Sequence, residues 1–203
     1  MGSLPIGVVL AGGQGLRLGG AKATVELCGR PLVSYPLSAL AAVLDEVAVL
    51  AKDSTDLPGL PGTAVWIERE PRQHPLVGLI EALALAGGRP VVACGVDFPL
   101  LTASLVRRVA FSGPGTALAV VASHCGMIQP LLGRYHPAAL ERLRGEFAAG
   151  DQVPLRSAVM SLEPVCLEVD DPEPLLNVNT PAELERAAQI LSRRSPTSSA
   201  PVE

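Results

Sequence analysis

The stretch from Ile6 to Lys22 reads IGVVLAGGQGLRLGGAK and joins a short apolar run to a glycine-rich loop. Ile6, Val8, Val9 and Leu10 have the length and type of a buried first strand. After Ala11 come Gly12, Gly13, Gly15, Gly19 and Gly20, with Arg17 inside the loop and Lys22 closing it. Glycine lets backbone N–H groups crowd a ligand with no Cβ in the way, and successive N–H groups form a concavity suited to an anion. Arg17 adds a planar fork and Lys22 a point charge, both matched to phosphate oxygens. A polyphosphate is the expected occupant, lying against Leu10, Ala11, Gly12, Gly13, Gly15 and Lys22. The glycines alone would also make a tight turn; the two cations at fixed offsets make the string more specific than its glycines.

Two common phosphate loops do not fit. A P-loop needs Gly-Lys-Ser/Thr, but Gly20 is followed by Ala21-Lys22-Ala23, with no hydroxyl for a metal. The dinucleotide fingerprint starts acceptably at Gly13, then places Leu18 where its third glycine belongs.

Outward from the loop, strands alternate with helices. A helix is predicted from Pro31 to about Leu44, then strands at Val47–Ala51 and Ala64–Ile67 around a Pro/Gly-rich loop from Asp53 to Gly62. A helix from Pro75 to Ala86 stops at Gly87-Gly88. Val91–Gly95 reads as a central strand, followed by a helix from Thr102, a plausible cap, to Val109. Strands at Ala117–Ala122 and Gln129–Gly133, a helix at Pro137–Ala148, a strand at Val165–Val169 and a helix at Pro181–Arg194 complete the pattern. The order predicts an α/β fold, a single-domain, doubly wound, mostly parallel sheet spanning residues 1–194. Residues 195–203 are Ser/Pro-rich and predicted disordered.

In such sheets ligands bind beyond the carboxyl ends of the strands. The loop after Leu10 and the loop after Gly95 are therefore expected on one edge, which turns separate motifs into one site.

The 203 residues, 48% of them hydrophobic, give room for one good core. Aromatics are 3%, leaving Ala, Leu, Val and Pro to fill it. The formal net charge is -4, with 16 scattered Lys and Arg and a pI near 5.4. A main nucleic-acid partner is disfavoured, because that needs a basic face. No apolar run reaches membrane-spanning length and no basic-then-apolar leader opens the chain, so a cytoplasmic protein is expected. Cys28, Cys94, Cys125 and Cys166 are widely spaced. That argues against zinc or disulfides and for reduced, mostly buried thiols. His74, His124 and His136 form no ligand motif.

Asp97 follows the apolar run Val91–Gly95 and precedes Phe98-Pro99. Alone it reads as a turn or cap carboxylate. Opposite a phosphate loop it also reads as a Mg²⁺ ligand, since that ion takes one or two carboxylates together with substrate phosphates. Thr180-Pro181-Ala182-Glu183 reads as a helix start, with Thr as cap, Pro first and Glu third. That leaves Asn177 and Asn179 unexplained. On a strand end they share a side, so Asn179 can offer a carbonyl to the metal and Asn177 can contact an acceptor.

LAGGxGxRLGG-x-K resembles the signature of nucleotidyltransferases that join a nucleoside triphosphate to a phosphorylated acceptor. Its two glycines after Leu-Ala are similar to the molybdenum cofactor guanylyltransferase family. Residues 94–101, CGVDFPLL, resemble that family's Asp-x-Pro motif, whose Asp ligates magnesium. Leu176 to Leu184, LNVNTPAEL, resembles its NVNTPEEL. Pro75-Leu76-Val77-Gly78-Leu79 is similar to GPLAGI, with His74 where Gly is usual. Gln129 to Tyr135 resembles the QPLFGLY stretch tied to the acceptor pocket, and Ala149-Gly150-Asp151 the family's Ala-Gly-Glu/Asp. The likeness runs from Gly7 to about Ala188.

The resemblance implies transfer of GMP from GTP to the terminal phosphate of molybdopterin, with release of pyrophosphate. It implies Arg17, Lys22 and Asp97 as catalytic residues, Asp97 and Asn179 as metal ligands, and Gln129 and Asn177 against the acceptor. It also implies transient contact with molybdoenzymes or other proteins of cofactor biosynthesis. Three departures touch base recognition. Glu68, with Glu70 nearby, stands where the family has an Asp for the base or ribose. Leu50-Ala51-Lys52 lacks an expected Asn, and Ala21 replaces an Asp before the signature lysine. A guanylyltransferase for a cobalamin precursor and a cytidylyltransferase for the molybdenum cofactor are the neighbouring alternatives. A nucleotide-binding protein that has lost catalysis is the alternative of a different class.

Overall fold

The computed structural model describes residues 3–13, 18, 22–70, 72–149 and 153–194. Among them the first half of the chain gives β1 (Ile6–Leu10), β2 (Glu26–Leu27), β3 (Arg30–Pro31), α1 (Ser34–Ala41), β4 (Val47–Ala51), β5 (Ala64–Ile67), α2 (Pro75–Leu85) and β6 (Val91–Gly95). The second half gives α3 (Ala103–Phe111), β7 (Ala119–His124), β8 (Met127–Tyr135), α4 (Ala139–Ala149), α5 (Leu155–Met160), β9 (Val165–Glu168) and α6 (Pro181–Arg194).

The main sheet has the order β5-β4-β1-β6-β8-β7-β9. β1 pairs in parallel with β4 and β6, β4 with β5, and β7 with β9; only β8 runs against its neighbours β6 and β7. Strand side chains alternate between faces, and the core divides accordingly. Val9, Val49, Val92 and Cys94 face α1 and α3, beside Leu40, Leu105 and Val106. Val8, Leu50, Val91 and Ala93 face the other way, towards α2, α4 and α5, beside Leu76, Leu79, Leu143 and Ala158. Both faces are dry, which is why the strands read as continuous apolar runs rather than alternating ones. A third cluster joins Leu27 and Leu32 to Val178 and to Ala187 of α6. It clamps the Asn177–Asn179 segment beside the loop end of β1.

Several boundaries differ from the sequence expectation. The helix expected from Pro31 begins at Ser34, because Arg30–Pro31 pairs with Glu26–Leu27 as a hairpin. Its turn takes positive φ at Cys28 and Gly29. The strand expected at Gln129–Gly133 runs over nine residues, Met127–Tyr135, because cross-strand partners on both sides outweigh the local breaking tendency of Pro130 and Gly133. The irregularity is absorbed in the β7–β8 register between Val121 and Ala122, and Gly133 is required there: a Cβ would stand 2.8 Å from Val121 Cγ1 and 3.0 Å from the Val120 carbonyl. α5 is too short for its periodicity to show in the sequence. Cys28, Cys125 and Cys166 are exposed and only Cys94 is buried, contrary to the expectation of mostly buried thiols; Cys28 and Cys125 sit in hairpin turns and Cys166 on the edge strand β9, whereas Cys94 sits in the central strand β6. The segment 195–203 lies outside the described residues.

Candidate functional site

The carboxyl ends of the parallel strands are laced together just before the site begins. Ala11 N–H donates to the Leu50 carbonyl at 2.8 Å, Glu68 N–H to Ala51 at 2.8 Å, and Val96 N–H to Leu10 at 3.2 Å. The loops that follow β1, β4, β5 and β6 therefore emerge side by side on one edge. They enclose a cavity of about 270 Å³ lined by Leu10, Gly12, Gly13 and Lys22 from the first loop, with Lys52, Glu68 and Asp97 opposite.

Lys22 is the centre of this edge. Its side chain is 10% exposed, and its ammonium donates to Asp97 Oδ2 at 3.0 Å and to Asn179 Oδ1 at 2.7 Å. Residues 75 and 157 positions away in the chain thus meet on one lysine. The backbone reinforces the meeting: Val178 N–H donates to the Asp97 carbonyl at 2.9 Å. Val178 itself is fully buried between the two asparagines, so the segment is anchored by the valine although it belongs to no strand. Asn179 is held from behind by Glu183, whose Oε2 accepts from Asn179 N–H at 2.8 Å and Thr180 N–H at 2.9 Å. Thr180 Oγ1 accepts in return from Glu183 N–H at 3.3 Å, the reciprocal capping box the sequence predicts. These bonds, the Asn179 amide foremost, hold the Glu183 carboxyl below its ordinary range.

Beneath Asp97, burial pushes the Cys94 thiol well above its usual range, and the nearby Asp97 charge adds to the effect. Beside the cavity, Lys52 Nζ meets Glu68 Oε1 at 2.7 Å. His74 caps α2, its Nδ1 accepting from Leu76 N–H at 3.2 Å, which accounts for a His where the resembling motif has Gly.

A second, more open cleft of about 650 Å³ lies between the β7–β8 turn and α6. Gln129 and Asn177 line it, together with Arg186, His124 and Cys125. Glu183 lines it too, while Asn179, two residues after Asn177, reaches Lys22 of the first cavity.

The structure thus brings together Leu10, Gly12, Gly13, Lys22, Glu68 and Asp97 around the first cavity, with Asn179 touching Lys22, and sets Gln129 and Asn177 in the second cleft. Ala11 stands apart: its methyl is fully buried in the core and its amide is committed to Leu50. Gly15 and Arg17, with Gly19, Gly20, Gly150 and Asp151, lie outside the described residues. Sequence reasoning missed Lys52 and Arg186 as lining residues. Lys52 had one usable signal, its place directly after a central parallel strand; Arg186 had none beyond a helix spacing of three from Glu183.

A mostly parallel sheet whose first loop carries glycines and a lysine against an acidic residue from a neighbouring strand end defines a nucleotidyltransferase of the α/β class. Residues 7–165 match the family described as the MobA-like NTP transferase domain, and the chain belongs to that family. It is 33% identical over 192 residues to a molybdenum cofactor guanylyltransferase of Cereibacter sphaeroides, covering 92% of this chain and 97% of the relative. It is 34% identical over 196 residues to one of Rhodobacter capsulatus, covering 94% and 98%. In fold it is similar to the crystal structure of molybdopterin-guanine dinucleotide biosynthesis protein A from Archaeoglobus fulgidus. The TM-score there is 0.77 at 22% identity, covering 93% of this chain and 99% of the other.

Proposed function

We propose that this chain transfers GMP from GTP to the terminal phosphate of molybdopterin, forming the guanine dinucleotide cofactor and releasing pyrophosphate. The observation that carries this is the convergence of Lys22, Asp97 and Asn179 at the mouth of the glycine-loop cavity. The names of the relatives supply the acceptor and the base.

The acceptor's terminal phosphate is already ionised at neutral pH, with a second pKa near ~6, so the attack on the α-phosphorus needs no general base. What remains is to bring two anions together and to stabilise the developing charge. The Gly12 and Gly13 amides, Lys22 and Arg17 would hold the β- and γ-phosphates. Glu68 would face the base or ribose at the far end of the cavity. Gln129 and Asn177 would hold the acceptor in the second cleft, so that the reacting phosphates meet between the two.

Magnesium fits the donor set. The Asp97 carboxylate and the Asn179 side-chain carbonyl already bracket one cation, the Lys22 ammonium, and both are the hard oxygen donors this ion selects. When bound, the ion supplies a positive charge that offsets the repulsion between triphosphate and acceptor. Asp97 and Asn179 would hold it, and Lys22 would turn to the phosphates. The expected setting is the cytoplasm, with transient contact to the molybdoenzymes that receive the product.

The test is pyrophosphate release from purified protein with molybdopterin and each nucleoside triphosphate, with and without Mg²⁺. Release with GTP and Mg²⁺ is expected. Release with CTP but not GTP would overturn the guanine assignment, and failure of every triphosphate to give pyrophosphate would overturn the enzymatic one.

A further inference from the structure

Lys52 is the first residue past β4. It meets Glu68 Oε1 at 2.7 Å, the Glu70 carbonyl at 2.6 Å and the Arg72 carbonyl at 3.1 Å. Its ammonium thus donates to two backbone carbonyls and pairs by charge with the Glu68 carboxylate. The pair is almost sealed, with side-chain exposures of 13% for Lys52 and 6% for Glu68. A buried ion pair is a poor way to gain stability, since desolvation cancels most of the attraction. Its value here lies in orientation.

That orientation leaves Glu68 Oε2 aimed at the cavity. Oε2 has no hydrogen-bond donor among the described residues, and it lies over two glycines. A Cβ at position 12 would stand 3.0 Å from it, and one at position 78 would stand 3.6 Å from it. Gly12, Gly78 and Glu68 all line the cavity. A negative oxygen therefore sits at the wall of the cavity, in the room that the missing side chains of Gly12 and Gly78 leave for it.

We infer that Lys52 is the positioning residue for base choice: by gripping Oε1 and the 70–72 backbone, it fixes Glu68 so that the carboxylate accepts the N1–H and 2-amino N–H of guanine. This rests on the GTP assignment above and deepens it. Guanine presents two adjacent donors on one edge. Cytosine and adenine set their amino group beside a ring nitrogen that is itself an acceptor, which a carboxylate repels. Lys52 does this without touching the nucleotide, through Glu68 alone.

Calorimetric binding of GTP, inosine triphosphate (which lacks the 2-amino group), 2′-deoxy-GTP and CTP to wild-type protein and to Lys52→Met, Lys52→Arg and Glu68→Gln tests this. A hydrogen bond to a charged group carries roughly tenfold or more in affinity, so wild type should prefer GTP to inosine triphosphate by about that factor. Lys52→Met and Glu68→Gln should bring the ratio close to one, Lys52→Arg should restore most of it, and the GTP to 2′-deoxy-GTP ratio should not move. A merely structural lysine would weaken all four nucleotides alike. Unchanged discrimination in Lys52→Met, or a change confined to the 2′-deoxy comparison, overturns the inference while leaving GTP as substrate. A wild type that prefers CTP overturns both. Should Lys52→Met not fold, Glu68→Gln keeps the volume of the site, and full discrimination there equally refutes the assignment.

Discussion

In the cavity under the glycine loop, charged side chains already face opposite charges: Lys22 meets Asp97, and Lys52 meets Glu68. In the cleft beside α6 the one ion pair that a described lining residue makes joins Glu173 to Arg194. Arg186 has no ion pair among the described residues, and the His124–Cys125 turn stands open to solvent, with Met127 and Gln129 on the strand that follows. The first hollow is lined by residues that end parallel strands and is braced by backbone hydrogen bonds on each side. The second is bordered by a helix face, a hairpin turn and an unpaired segment. Their difference teaches that the first hollow is preorganised by ion pairs across its loops, whereas the second is held by hairpin and capping hydrogen bonds such as Cys125 N–H to Glu168 Oε1 and Asn179 N–H to Glu183 Oε2.

The comparison can be broken most severely at Asp97. Asp97→Ala is expected to lower pyrophosphate release by about a thousandfold or more, the scale seen when a group aimed at developing charge is lost. Circular dichroism should show the fold retained, since the sheet edge is held by backbone bonds that do not use the carboxylate. Lys22→Ala comes next. On the proposed function it removes one charge-assisted phosphate contact, so GTP affinity measured by calorimetry should fall about ten- to a hundredfold. On the acceptor side, Arg186→Ala should raise the KM for molybdopterin by about tenfold with the KM for GTP unchanged, which steady-state kinetics with either substrate varied will show. Equal effects on both KM values would mean that the two hollows are not separate.

A smaller effect is expected from acid. The Glu183 carboxyl lies below its ordinary value because the Asn179 amide, more than any other group, favours its charged form. A depressed native pKa means a contribution to stability that is complete above the ordinary glutamate value of 4.5 and lost as pH falls through the lower native value. Thermal melts across that window should therefore show wild type losing more stability than Glu183→Gln, which keeps the size of the cap but cannot titrate. Identical acid slopes would show that the capping box contributes nothing there.

The parallel half of the molecule was the more legible in the sequence, for a physical reason. Buried parallel strands such as Ile6–Leu10, Val47–Ala51 and Val91–Gly95 advertise themselves as apolar runs, and their ends predict where Asp97 and the glycine loop must lie. The antiparallel half is governed by pairing that local pattern does not reveal. The length of β8 and the tolerance of Pro130 within it depend on β6 and β7. The Glu26–Pro31 hairpin depends on positive φ at Cys28, which sequence alone did not suggest. Asn179 was legible as a polar residue without a capping role, but its attachment to Lys22 needed the third apolar cluster to fold the chain end back over the first loop. Lys52 was visible only as a substitution for an expected Asn. That it grips Glu68 depends on the β4–β5 register, which sets Ala51 beside Ile67 and so brings the two loops level.

The attachment of Val178 to the Asp97 carbonyl also has a bearing on synthesis. A chain emerging from the ribosome can lay down β1, β4 and β6 while its last quarter is still untranslated. The cluster of Lys22, Asp97 and Asn179, however, is completed only when residues near position 178 dock on an edge made long before. A half-made polypeptide would own the first cavity while Lys22 still lacked its Asn179 partner.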